Sequence, residues 1–212
     1  MSNQTNQQLG LEILEKCYKS AIEGLPTSDS AEVLGQEYLR KYNYDKDLAV
    51  EKLVNAQIAK CATTGFLTSV GGALTLPVAV SADIGVNVYV QLRMIAAIAV
   101  IGGYNPTDDE VKTLAYMCLV GMASADVVKN VGIKVGEKVT INMLKKIPGK
   151  MLIKINQLIG FRLITKAGTK GIINLIKIIP GISGVIGGGF DAIATKNIAN
   201  RAKDCFINNK GL

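Results

Sequence analysis

Histidine is missing from this 212-residue chain, and so is tryptophan. Without histidine there is no Ser-His-Asp or Cys-His nucleophile pair and no histidine zinc ligand. The usual general base near neutral pH is absent too. Aromatic residues make up only 5% of the chain, so its 49% hydrophobic content must pack as Ile, Val, Leu and Ala, with Gly between them. Small residues of this kind let helices approach closely. Cys17, Cys61, Cys118 and Cys205 form no C-x-x-C pair. Their spacing is neither a zinc pattern nor a disulfide framework, and it reads as buried thiols in a reducing, cytosolic compartment. No G-x-x-x-x-G-K-[ST] phosphate loop occurs, and the glycines of GVIGGG (residues 184–189) lack the spacing and preceding strand of a dinucleotide loop. MSNQTNQQ at the N-terminus lacks the basic start of a secretory signal. No catalytic, cofactor-binding or metal-ligating set can be named, so the expectation is a non-enzymatic protein without a cofactor.

Charge is scarce where the chain is most apolar. Residues 61–103 carry only Asp83 and Arg93, and a second apolar stretch, IIPGISGVIGGGFDAIATKN, carries Asp191 before its terminal lysine. The formal net charge of +7 is lopsided: residues 1–103 hold eight basic and ten acidic groups, residues 104–212 sixteen and seven. Between Val127 and Phe190 eleven Lys or Arg face one acid, Glu137. Such an excess attracts phosphates or anionic headgroups, and equally serves as a solvated face that keeps an apolar protein soluble. Nucleic acid is disfavoured, because the basic stretch has only Phe161 for stacking on a base.

Periodicity predicts helices throughout. Leu11, Leu14, Tyr18, Ala21 and Ile22 recur at helical spacing before Leu25-Pro26 ends the run. Asp29 with Glu32, and Thr107 with Glu110, match capping boxes. Pro77 interrupts the first apolar stretch, a long helix is predicted from Val78 to Ile101 with Gly102-Gly103 as its cap, and the next should run toward Ala125. Lys134/Lys138, Lys146/Lys150/Lys154 and Arg162/Lys166/Lys170 recur at four-residue steps, which aligns each set on a helix face; Pro148-Gly149 and Gly168 divide them. A last helix should follow Pro180-Gly181 and reach about Asn208. The fold class is therefore all-α: a compact multi-helix bundle, one domain over 1–212, with two Gly/Pro-interrupted apolar helical hairpins.

The glycines Gly71-Gly72, Gly132-x-x-x-Gly136 and Gly184-x-x-x-Gly188 read as packing positions, where missing side chains bring two helices into backbone contact. Asp83, Arg93 and Asp191 are expensive in apolar surroundings unless paired. On one helix, ten residues put Asp83 and Arg93 about 80° apart with a rise of ~15 Å, so each should cap a helix end or bind a neighbouring helix instead. Asp83 and Asp191 can face each other as register-fixing polar anchors or, on the sharper reading, as a carboxylate pair. The uncharged run 61–82 is 22 residues, enough on paper to span hydrocarbon, but Thr63, Thr64, Thr68, Ser69 and Thr75 interrupt it and no aromatic belt flanks it. Constitutive spanning is disfavoured; peripheral attachment through the basic helices is retained.

The ordered pattern TTGFLTSVGGALTLPVAVSADIGVNVYVQLRMIAAIAVIGGYNPTDDEVKTLAYMCLVG, followed by IPGISGVIGGGFDAIATKNIANRAKDCF, resembles the EcsC family. The matching positions are Gly71-Gly72, Pro77, Asp83, Arg93, Tyr104 and Asp108-Asp109. Toward the C-terminus they are Pro180, Gly184, Gly187, Gly188, Thr195, Ala202 and Phe206. Asn105 follows Tyr104 where the family has Gly, and Asp191 stands where Asn is commoner, which leaves a shared role for that position open. The resemblance is strongest over 45–207, with 1–44 as a helical lead-in. A helical domain appended to some bacterial GTPases is distantly similar. The resemblance implies a bacterial helical protein, discussed beside an ABC transporter linked to secretion, with no established reaction. The resulting expectation is a cytoplasmic protein, peripheral at the inner membrane, whose basic helices meet an anionic surface or a membrane protein. The alternative is a soluble module that binds a partner helix or lipid tail in an apolar groove.

Overall fold

Between Val88 and Ile101 every residue is buried, although a surface helix would alternate faces. A helix apolar on all sides must be enclosed by others, and the computed structural model places this one, α5 (Ala82–Gly102), at the centre. The structure describes residues 2–61, 64–74, 82–121, 124–133, 138–165 and 192–212. Around α5 pack α1 (Ser2–Glu23), α2 (Ala31–Lys41), α3 (Lys46–Cys61), α4 (Thr64–Ala73), α6 (Asp109–Val120) and α10 (Ala192–Phe206). The remaining elements are α7 (Ser124–Lys129), α8 (Ile141–Leu144) and α9 (Gly149–Thr165), the last lying against α1 and α6. The fold is an all-α bundle, with no strand among the described residues beyond the isolated Leu25–Ser28 bridge.

Residues 85–102 form the one described segment long and apolar enough to cross a bilayer (mean hydropathy 1.5), and 89% of it is buried inside the fold. Its position is that of a core helix. The run 61–82, which has the length of a span, takes in the last residue of α3, all of α4 and the first residue of α5; residues 62–63 and 75–81, with Pro77, lie outside the described residues.

Helix ends depart from the sequence reading in small, explicable ways. The cap of α2 is Ser30, whose hydroxyl accepts the Val33 N–H, one residue later than Asp29. Thr107 does not cap α6: Asn105 Oδ1 accepts both its N–H (3.0 Å) and its hydroxyl (2.8 Å), and Asp108 takes the cap position with its Oδ1 accepting from Asn105 Nδ2 (3.1 Å) and not from the helix N–H groups. The helix predicted to reach Ala125 stops at Gly121, where φ is +60° and α7 begins only at Ser124. At the end of α5 the reading holds: the Gly103 and Tyr104 N–H groups turn back to the Val100 and Ala99 carbonyls.

Close backbone packing occurs, but at other glycines. A Cβ on Gly10 would collide with the Gly160 carbonyl, and one on Gly160 would stand 2.5 Å from Leu11 N, so α1 and α9 cross backbone to backbone. Gly35 of α2 meets Ala97 O and Val100 of α5 at 2.8 Å in the same sense. By contrast Gly72 faces open space, and Gly132 lies in a turn with φ +82° and nothing near. The Gly132-x-x-x-Gly136 motif is therefore not a helix seam at its first member. Gly71 is half-buried in α4, while Gly136, Gly184 and Gly188 lie outside the described residues.

Candidate functional site

Polar groups in the core are the first place to look for chemistry. Arg93 is 3% exposed, and its Nε donates to the Asp29 carbonyl at 2.7 Å, in the connection between α1 and α2. One turn earlier Tyr89 Oη shares a 2.5 Å hydrogen bond with Ser28 Oγ. Tyr89 and Arg93 thus fasten the 24–30 loop to one face of α5; the partner of Arg93 is a connecting loop, where a helix end or a neighbouring helix was expected. On another face Gln91 Nε2 donates to Thr195 Oγ1 at 2.9 Å and ties α5 to α10. These bonds hold register among otherwise interchangeable apolar contacts. Asp83 is the second residue of α5, its side chain outside the described set; Asp191 lies outside it altogether, as does any approach between them. Among the described residues no cluster of three His, Cys, Asp or Glu side chains could hold a metal.

Three cysteines are buried free thiols: Cys17, Cys118 and Cys205. Cys118 Sγ lies 3.8 Å from Cys205 Sγ, and Arg201 Nε donates to the Cys118 carbonyl at 2.9 Å. Burial raises the Cys118 thiol well above its ordinary value and pushes Cys17 from 9.0 up to about 12. A thiol so placed is a core side chain and a poor nucleophile. In the native protein at pH 8 none of the three should react with a disulfide reagent, and all should react after denaturation; thiol titration checks this. The unfolded chain releases the Cys17 proton near pH 9, where the folded chain still holds it, so this contribution to stability falls as pH rises from 9 toward 12. Between pH 9 and 10 the loss is about 1 kcal/mol from this thiol, measurable as a lower denaturant midpoint.

A cleft of about 600 Å³ opens between α3 and α10. Asp45, Asp47 and Glu51 stand on one wall, Lys196 and Lys203 on the other, and Lys203 Nζ reaches Asp47 Oδ1 at 2.7 Å. Its charges are of both signs and partly mutually satisfied. It is not the apolar groove of the alternative reading.

The basic stretch gives a more coherent surface. Its base is pinned at Val139, which exchanges two backbone hydrogen bonds with Leu212 (2.9 and 3.0 Å). Thr140 caps α8 through its hydroxyl, and Pro148, whose carbonyl accepts the Met151 N–H at 2.8 Å, starts α9. Leu152, Ile155, Asn156 and Ile159 bury the inner face of α9, leaving Lys150, Ile153, Lys154 and Gln157 exposed on an arc of about 100°. Lys138, Lys145 and Lys146 are exposed just before it. No acid occurs from 138 to 165, and none of these lysines forms an ion pair among the described residues. Lys150 stands in the first turn of α9, where no acid offsets the positive end of the helix dipole. The arrangement opposes helix stability and concentrates positive potential.

Of the basic residues expected on helix faces, Lys150 and Lys154 are exposed on α9. Lys138 and Lys146, also exposed, lie in non-helical chain before α8 and in the turn after it, because Pro148 starts α9 only beyond them. The Arg162 side chain, Lys134, Lys166 and Lys170 lie outside the described residues. Lys145 and Ile153 were missed. Ile153 falls off the 152/155/159 apolar stripe that the fold buries.

No curated protein and no solved structure matches the chain. The model of the EcsC protein family matches residues 11–207, taking in most of what the motifs alone left as a lead-in. With the Arg93 anchor, the enclosed α5 and the capped Gly102-Gly103 turn all inside that match, the chain belongs to the EcsC protein family.

Proposed function

We propose that this protein acts without catalysis, peripherally at the bacterial inner membrane or on a partner there, through the lysines of α9 and of the segments flanking α8. The observation that carries the reading is the set Lys138, Lys145, Lys146, Lys150 and Lys154: exposed, unpaired among the described residues, and free of acids in their own segment. Several lysines elsewhere are neutralised locally. Lys16 pairs with Glu12, Lys52 with Glu51, Lys112 with Asp109 and Lys203 with Asp47. Unpaired charge on one face is available to an outside anion, and each Lys near an anionic leaflet contributes about 1 kcal/mol. The burial of α5 supports attachment at the surface in preference to spanning.

Vesicle co-sedimentation tests the reading. Protein should pellet with phosphatidylglycerol-containing vesicles and not with pure phosphatidylcholine. Binding should fall steeply between about 0.1 and 1 M salt, as the Debye length shrinks from ~10 to ~3 Å. Equal binding to both vesicle types, or none to either, would remove the lipid surface and leave a protein partner as the target.

A further inference from the structure

We infer that α9 lies in the plane of an anionic bilayer with the Ile153 side chain inserted among the acyl chains, an inference that rests on the membrane reading above. Ile153 is 55% exposed, and its exposed neighbours one turn away include Lys150 and Gln157, with Lys154 further round the same arc. Other exposed apolar side chains have a different setting. Val33 sits between Glu32 and Glu37, and Leu48 beside Asp47 and Glu51, where an anionic surface is repelled. Ile193, near the start of α10, is more exposed still (74%) and has Lys196 one turn on. Lys196, however, shares its cleft with Asp45, Asp47 and Glu51, whereas no acid occurs from residue 138 to 165 around Ile153. Tyr44 is followed directly by Asp45.

The geometry suits an interfacial helix. Ile153 stands at one edge of the arc, about 40° from Gln157, 60° from Lys150 and 100° from Lys154. With the helix rolled toward Ile153, that side chain descends furthest, while the lysines, all to one side of it, extend aliphatic stems and keep their ammonium groups at phosphate level. Lys150 and Lys154 stand about 6 Å apart along the axis, so they meet separate headgroups beside the descending side chain. The inner face of α9 is already fixed, its backbone against that of α1 at Gly160 and Gly10. The helix is therefore formed before contact, and no ordering cost is charged against binding.

Because the chain has no tryptophan, Ile153→Trp places a single reporter at the site. Val33→Trp, on the acidic surface of α2, is the control. With vesicles of equal phosphatidylglycerol and phosphatidylcholine, Ile153→Trp emission should shift to the blue and be quenched by brominated acyl chains; Val33→Trp emission should do neither. Ile153→Ser should bind the same vesicles about tenfold more weakly, the equivalent of half a buried isoleucine, with its salt dependence unchanged. Pelleting with vesicles but without a blue shift or quenching would overturn insertion while leaving electrostatic attachment standing. Failure of the wild-type protein to pellet would overturn both.

Discussion

Alanine at Gly160 should destabilise the protein by about 2–3 kcal/mol, lowering the melting temperature by roughly 5–10 °C. The new Cβ would stand 2.5 Å from Leu11 N and 2.9 Å from the Gly10 carbonyl carbon. Both are backbone atoms, so no rotamer change relieves the overlap; α1 and α9 must separate, and the apolar contacts along their crossing loosen together. Against this, alanine gains up to about 1 kcal/mol in helix propensity. Gly10→Ala should behave alike, since its Cβ would meet the Gly160 carbonyl. Gly72→Ala is the opposite case: in α4, exposed, with open space where the methyl group goes. There the propensity gain stands alone and stability should hold or rise by a few tenths of a kcal/mol. Urea unfolding of the three variants decides the matter; equal effects at positions 72 and 160 would mean that the backbone crossing is absent.

That contrast also shows how far the sequence could be read. The all-α class followed from helical periodicity, from Pro and Gly at the breaks, and from the missing two-residue alternation. Angle and rise alone directed Arg93 to a partner outside its own helix, and it meets the Asp29 carbonyl. The seam glycines could not be chosen this way. Small-x-x-x-small spacing describes one helix and is silent about which helix will lie across it, and Gly10 and Gly160 are brought together only by the tertiary fold. Gly132 has the right spacing but turns the chain at positive φ. Caps were misplaced by one residue for a related reason. Thr107 has the sequence of a capping residue, yet Asn105 occupies its N–H and hydroxyl and shifts the helix start to Asp108–Asp109. On the basic face, four-residue steps found Lys150 and Lys154 because charge periodicity is local. Ile153 escaped notice because an exposed isoleucine looks like a core residue until the buried stripe of α9 is known.

Reversing Lys146, Lys150 and Lys154 together to glutamate should weaken binding to anionic vesicles by about 100-fold or more. Each lysine near the surface contributes about 1 kcal/mol, three remove about 3, and the new carboxylates add repulsion. Net charge alone cannot be the cause if the partner experiment behaves as expected. Lys16, Lys19 and Lys52 reversed to glutamate lower the formal charge from +7 to +1, the same change, on a surface where each is now paired with Glu12, Glu23 or Glu51. That variant should lose only a few-fold in binding, since it alters the long-range field without touching the contact face. Folding should survive in the α9 variant, because all three side chains are exposed and a carboxylate at position 150 stands at the favourable end of the helix dipole. A wild-type melting profile alongside lost vesicle binding assigns the effect to the face. Equal losses in the two triple variants would instead assign it to total charge, and α9 would have no special place in attachment.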